Sequence, residues 1–140
     1  MDKLALAAVA GVVLCVFVVM KVRFERARRT ALQHYWMRAC CGRDWKRTFP
    51  QASMHQIRQY LMVLVSAFAF PQKRALQFQP TDCVYGIYRA IYPELGWPDA
   101  LELETFAQQL ERKYGIHLRA IWREDLTLGE VFARTLHVAT

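Results

Sequence analysis

The first 22 residues form the most apolar segment of the chain. From Leu4 to Met20 every side chain is apolar except Cys15, and no charged residue interrupts the run. A helix of this length spans about 25 Å, at the short end of what a bilayer core requires. The pattern therefore predicts a transmembrane anchor over residues 1–22.

Cations follow this run directly and predict its orientation. The N-terminal side carries only Lys3 and Asp2. No Ala-x-Ala cleavage site follows the run, which favours an uncleaved anchor over a signal peptide. The positive-inside rule then places residues 21–140 in the cytoplasm, at the inner (plasma) membrane of a bacterium, with membrane lipid as a partner. The predicted membrane-interface cations are Lys21, Arg23, Arg26, Arg28 and Arg29.

Residues 23–50 alternate aromatic and basic side chains. Trp36 and Trp45 are the aromatic residues expected at the membrane interface. Such a composition can indicate nucleic-acid binding, but directly after a membrane span it favours an interfacial helix. The adjacent Cys40 and Cys41 are either palmitoylation sites or two ordinary thiols.

Apolar residues at helical spacing begin again in the domain predicted for residues 51–140. Ser53 is a suitable N-cap for a helix over 53–70, which is apolar on most sides. Its uninterrupted apolar part is too short for a second membrane span. Further along, Asp82 precedes a short helix and is a candidate cap. The positions that support these two helices are Ile57, Leu61, Leu64, Phe68, Val84, Ile87, Tyr88 and Ile91.

Two more helices carry clear start signals. Asp99 with Glu102 three residues later, and Thr127 with Glu130, both have capping-box spacing. Gly115 is in the position that commonly ends a helix. No segment has the pattern of a useful strand, so the fold class is all-α: one transmembrane helix followed by a small helical bundle.

Composition and charge narrow the class of function. The 140 residues are 54% apolar and 22% charged, which excludes a disordered chain. The net charge of +7 is uneven: residues 1–79 hold 13 Lys and Arg against 3 Asp and Glu, whereas residues 80–140 hold 6 against 9. The basic character therefore belongs to the membrane-proximal half, and no nucleic-acid partner is expected.

Residues 95–116 resemble the second helix of acyl carrier proteins. In that family an Asp-Ser-Leu triplet opens a helix that ends in an aromatic residue followed by Gly-Ile. Asp99 and the Tyr-Gly-Ile triplet at 114–116 match this spacing without a gap. Residues 126–131 are similar to the start of the carrier's last helix. The resemblance covers about 53–137 and implies an acyl-carrier-like bundle.

The resemblance fails at the residue that carries the family's chemistry. Carriers attach 4′-phosphopantetheine to the serine after the Asp, where this chain has Ala100. The methyl group of alanine cannot form the phosphodiester. Neither Ser53 nor Ser66, the two serines of the chain, follows an Asp. No cofactor is therefore expected.

Without the prosthetic group, the resemblance still implies a surface that partner proteins recognise. In carriers the second helix presents carboxylates to basic patches on partner enzymes. Asp99, Glu102 and Glu104 occupy the corresponding positions here and are the predicted partner-binding residues. Helix capping also explains Asp99 and Glu102, and for Asp99 it is favoured over partner binding. Glu104 is either a partner-binding residue or an ordinary solvated one.

No catalytic or metal-binding constellation is visible in the sequence. None of the histidines, His34, His55, His117 and His137, lies three or four residues from another His or Cys. Structural zinc sites normally show such paired spacing. Cys83 has no evident activating partner, and a buried thiol explains it better than a nucleophile. We therefore expect no enzyme activity and no metal site.

The sequence as a whole indicates a membrane-anchored, non-enzymatic interaction module of the acyl-carrier type. Its protein partner would be an acyl-transfer or lipid enzyme. The main alternative is an immunity protein that neutralises a toxin in bacterial competition. Membrane-anchored nucleic-acid binding through residues 23–47, and a carrier modified at a residue other than Ala100, are further alternatives.

Overall fold

The computed structural model describes residues 2–93 and 100–138, and 75% of these residues are helical. Within these residues no strand forms; Cys83 and Thr127 make an isolated bridge. The all-α prediction is thereby confirmed. The helices are α1 (Lys3–Trp36), α2 (Gly42–Thr48), α3 (Met54–Ala67), a 3₁₀ helix (Gln72–Gln77), α4 (Val84–Ile91), α5 (Leu101–Tyr114), α6 (Leu118–Ile121) and α7 (Leu128–Val138).

The first helix is longer than the predicted anchor. α1 continues unbroken for 34 residues, and by length and composition it can cross a membrane. Its side chains up to Val22 are exposed, whereas Leu32 and Tyr35 are buried in the core. The core therefore begins within α1 and extends across the boundary predicted between residues 50 and 51.

Trp45 corrects the sequence interpretation of the basic and aromatic segment. The prediction placed its side chain at the membrane interface, but the indole is 0% exposed. It packs against both Tyr60 and Phe132, with ring centroids 6.0 and 5.5 Å away. Its Nε1 donates to the carbonyl of Phe78 at 2.8 Å. The indole is a core side chain with its one polar atom satisfied, which is why α2 packs inward.

α3 is the central helix of the core, and its start was predicted correctly. Ser53 and Gln56 form a reciprocal capping box: the Ser53 N–H donates to Gln56 Oε1 at 2.8 Å, and the Gln56 N–H donates to Ser53 Oγ at 3.1 Å. Ile57, Leu61 and Leu64 are each 0% exposed. This burial on successive turns explains the dense apolar pattern.

α4 lies at the positions that the sequence predicted, but Asp82 does not cap it. Cys83 is the N-cap residue and makes no side-chain capping bond. Asp82 instead accepts two hydrogen bonds from Arg38, at 2.6 and 2.9 Å, and a third from the Gln79 N–H at 2.7 Å. The stronger charged donor, from the bend just after α1, takes the carboxylate that the local pattern assigned to α4.

α5 begins at Leu101, one residue later than the capping pattern predicts. Ala100 is in the N-cap position, and its methyl side chain makes no capping hydrogen bond. The predicted cap, Asp99, lies outside the described residues. At the other end Gly115 has a positive φ of 66°, so its predicted role as the glycine that ends α5 is confirmed.

The start of α7 was predicted correctly in detail. The Thr127 N–H donates to Glu130 Oε2 at 2.9 Å, and the Glu130 N–H donates to Thr127 Oγ1 at 3.2 Å. Next to this cap, the N–H of Gly129 donates to the carbonyl of Pro80 at 2.8 Å. A side chain at Gly129 would come within 2.9 Å of that oxygen, so glycine permits α7 to dock on the loop before α4.

Candidate docking groove

A groove of about 550 Å³ runs along α5 and is closed on its other side by α6 and the residues around it. It starts beside Ala100 and extends along α5 to Glu111. The distance covered along α5 is about 16 Å, or three helical turns. The groove is lined by Ala100, Leu103, Glu104, Ala107, Gln108, Glu111, His117, Leu118, Arg119 and Trp122.

The apolar part of the groove comes from both helices. Leu103 and Ala107 are half-buried on α5, and Leu118 is almost fully buried on α6. Trp122 remains 37% exposed and packs edge-on against Tyr85, with ring centroids 6.3 Å apart. An exposed indole over an apolar floor is typical of the anchor positions at protein interfaces.

Charge is arranged along the edges of the groove. Glu104 and Glu111 are both exposed and lie two helical turns apart on α5, so they share a face. Opposite them, Arg119 is exposed, and His117 Nδ1 lies 3.4 Å from Glu111 Oε1. Such an exposed pair contributes little to stability. The carboxylates therefore remain accessible to an incoming partner.

The predicted partner-binding carboxylates are not equivalent in the structure. Glu104 is exposed and lines the groove. Glu102 is half-buried: its Oε1 accepts a hydrogen bond from the Tyr92 hydroxyl at 2.8 Å, and its Oε2 is buried without a hydrogen-bond partner among the described residues. Glu102 is thus turned towards α4, and Glu104 is the predicted carboxylate that a partner can reach.

Of the groove residues, sequence reasoning singled out only Ala100 and Glu104 and missed the rest, including Glu111, His117, Arg119 and Trp122. The seven-residue spacing of Glu104 and Glu111 was the signal available for the first. The other three follow Gly115, and only the turn that this glycine makes returns the chain to α5. Their proximity to Glu104 is a tertiary contact that no local pattern encodes.

The predicted membrane-interface cations are mostly free to meet lipid. Lys21, Arg23, Arg26 and Arg29 are exposed on α1, and Arg28 is half-buried. Trp36 is different, because it is half-buried beside Phe70 and Phe78 with the Arg74 guanidinium 5.1 Å above its ring. This indole packs on the core as well as meeting solvent.

A partly buried ion pair fastens α1 to the loop before α4. Arg38 is 17% exposed and Asp82 is 8% exposed, and the two form a bidentate pair. The hydrogen bonds to Asp82 raise the pKa of the Arg38 guanidinium. Beside them, burial and the negative charge of Asp82 raise the pKa of the Tyr35 phenol to about 12. Burial also raises the pKa of the nearby Cys41 thiol.

Cysteines and possible metal ligands form no further cluster in the described part of the chain. No group of three or more His, Cys, Asp or Glu residues there could hold a metal ion. All four cysteines are free thiols: Cys15 and Cys40 are exposed, Cys41 is buried and Cys83 is half-buried.

Comparisons with protein-family models, with curated proteins and with solved structures find no match to this chain. The α5–α6 groove and the residues around it are therefore the basis for a functional proposal.

Proposed function

We propose that this chain is a membrane-anchored, non-enzymatic docking module of the acyl-carrier type. It cannot carry phosphopantetheine at the usual position, because Ala100 has no hydroxyl group. Its partner would be a membrane-bound protein, namely an acyl-transfer or lipid enzyme. α1 would hold the module at the inner face of a bacterial plasma membrane, with residues 21–140 in the cytoplasm.

The observation that carries this proposal is the α5–α6 groove. It combines an apolar floor, the exposed Trp122 and the carboxylates Glu104 and Glu111. A partner segment with one apolar face and a few cations matches it in shape and charge. The groove also begins beside Ala100, at the end of the helix that most resembles the carrier family.

Membrane attachment supports a docking role on energetic grounds. Two proteins confined to one membrane meet at a much higher effective concentration than two that diffuse freely. A groove of modest size can then be sufficient for association. The cations from Lys21 to Arg29 favour the cytoplasmic side and anionic lipid.

Charge reversal in the groove tests the proposal. The full-length chain is purified from native membranes as wild type, as Glu104→Lys and as the control Glu124→Lys. Both substitutions change the charge by the same amount at exposed positions, but Glu124 does not line the groove. We expect an acyl-transfer or lipid enzyme to co-purify with the wild type and the control, and to be lost with Glu104→Lys.

Other results would overturn the proposal. A toxin captured equally by all three chains would favour the immunity alternative. An intact mass that includes phosphopantetheine would favour an active carrier modified elsewhere.

A further inference from the structure

The way in which α1 enters the core fixes which end of the helical domain faces the bilayer. The helix is unbroken from its exposed apolar part to Trp36, and no linker separates the two. Leu32 and Tyr35 are buried among the other helices. The domain therefore keeps a set orientation relative to α1. This inference rests on the proposal that the start of α1 spans a membrane.

Contacts along α1 identify the nearer end. Phe24 lies four residues, or about 6 Å, beyond Met20, the last residue of the apolar run. Its ring is 6.3 Å from that of Tyr92, just after α4. Tyr35 lies about 16 Å further along the helix and contacts Phe78, at 5.5 Å between ring centroids. The C-terminal end of α4 is thus nearer the bilayer than Phe78.

Tyr92 places the first turn of α5 at the same end of the helical domain, the end nearer the bilayer. Its hydroxyl donates to Glu102 Oε1 at 2.8 Å. The neighbouring Ala100 is exposed, and the Leu101 side chain is 60% exposed. Since the α5–α6 groove begins at Ala100, the mouth of the groove lies at the end of the domain that is nearer the bilayer.

The attraction of this end to an anionic lipid surface comes from α1, because the first turn of α5 itself carries the carboxylates Glu102 and Glu104. Lys21, Arg23, Arg26 and Arg29 are exposed around α1 at the level where headgroups would lie. Each such cation adds to the attraction between α1 and an anionic membrane. The Glu102 carboxylate is turned towards Tyr92, which reduces its repulsion from the same surface.

We propose that the first turn of α5, with the exposed Leu101 side chain, lies against the anionic lipid surface, so that the α5–α6 groove opens at the bilayer. A partner would then reach the groove along the membrane plane. Leu101 would lie among the headgroups, where an apolar side chain loses part of its contact with water.

A depth measurement on the full-length chain tests this orientation. The four native cysteines are replaced by alanine, and a fluorescent probe is attached at Leu101→Cys or at the control Met37→Cys. Met37 is 77% exposed and directly follows the far end of α1. The protein is reconstituted in vesicles of phosphatidylcholine and phosphatidylglycerol that carry a headgroup quencher. We expect several-fold stronger quenching at position 101 than at position 37.

A helical insertion of seven residues after Lys21 provides a second readout. It lifts the domain by about 10 Å with almost no rotation, because seven residues make nearly two turns. Quenching at position 101 should then fall to the level of position 37. Equal quenching at the two positions, or no effect of the insertion, overturns the orientation.

A third probe separates the orientation from the anchor. A probe at Phe17→Cys should be shielded from aqueous quenchers and accessible to quenchers on the acyl chains. If it is not, the membrane span and the proposed function fail together. If Phe17 is in the bilayer but position 101 is not quenched, only the orientation fails.

Discussion

At the scale of single residues, the Arg38–Asp82 pair is the contact whose loss should lower the free energy of unfolding most. Asp82 is 8% exposed and accepts hydrogen bonds from Arg38 and from the Gln79 backbone. Removing the guanidinium leaves a carboxylate that is largely shielded from water and has lost its counter-charge. The pair also joins the end of α1 to the loop before α4, so its loss weakens the attachment of α1 to the other helices.

We predict that Arg38→Ala destabilises the folded chain by about 3 kcal/mol, because breaking a buried ion pair leaves one charge uncompensated. Arg38→Lys should cost less, since it retains a charge but not the bidentate geometry. Urea unfolding of the detergent-solubilised full chain, followed by circular dichroism, measures both.

The exposed Arg43 on α2 provides the matched control. Arg43→Ala should change the free energy of unfolding by less than about 0.5 kcal/mol. Equal effects of the Arg38 and Arg43 substitutions would show that the Arg38–Asp82 pair has no special role.

At the scale of helices, the sequence predicted those features that depend on residues close together in the chain. The caps at Ser53 and Thr127 and the terminal Gly115 involve residues within a few positions of each other, so a pattern can indicate them. The inward packing of α2 was not predictable in this way. It depends on the contact between Trp45 and Phe132, which lies 87 positions further along the chain. The basic residues around Trp45 instead favoured a helix at the membrane interface.

The capping box of α3 gives a prediction at this scale. Ser53→Ala removes the acceptor for the Gln56 N–H and should cost about 1 kcal/mol of stability. Ser66→Ala is the matched control, because Ser66 is exposed near the other end of the same helix. Thermal unfolding of both variants compares them. A Ser66 variant as unstable as the Ser53 variant would contradict the capping role.

At the scale of the whole molecule, α1 and the bundle form one helical unit. The sequence indicated an anchor and a separate domain because the apolar run and the later helices have different patterns. It could not show that the second half of α1 enters the core, since Leu32 and Tyr35 lie in a segment dominated by cations. Within the α5–α6 groove, the sequence singled out Glu104 on α5, whereas it gave no sign of the residues on and around α6 that line the other side.

Two buried phenols and one half-buried phenol, in three helices, predict how this unit responds to alkaline pH. Burial raises the pKa of Tyr60 well above its usual value, raises that of Tyr114, and with Asp82 raises that of Tyr35 to about 12. Between pH 10 and the higher folded-state values, the unfolded chain loses these protons while the folded chain keeps them. The contribution of all three phenols to stability is therefore complete below about pH 10, and that of Tyr35 is lost as the pH rises through about 12.

The measurement is urea unfolding at several pH values above and below 10. Each such phenol should reduce the free energy of unfolding by up to about 1.4 kcal/mol per pH unit in this window. Tyr35→Phe should reduce the steepness of the fall. A stability that is flat above pH 10, or a Tyr35→Phe slope equal to that of the wild type, would contradict the prediction.

The most direct test of the account is site-specific photocrosslinking in native membranes. A photoreactive residue replaces either Gln108, which is exposed in the groove, or Gln59, which is exposed on α3 outside it. We predict that position 108 captures a membrane-bound acyl-transfer or lipid enzyme, that position 59 does not, and that Glu104→Lys abolishes the adduct. Capture of the same proteins at both positions, or no adduct at position 108, would contradict a docking function for the groove.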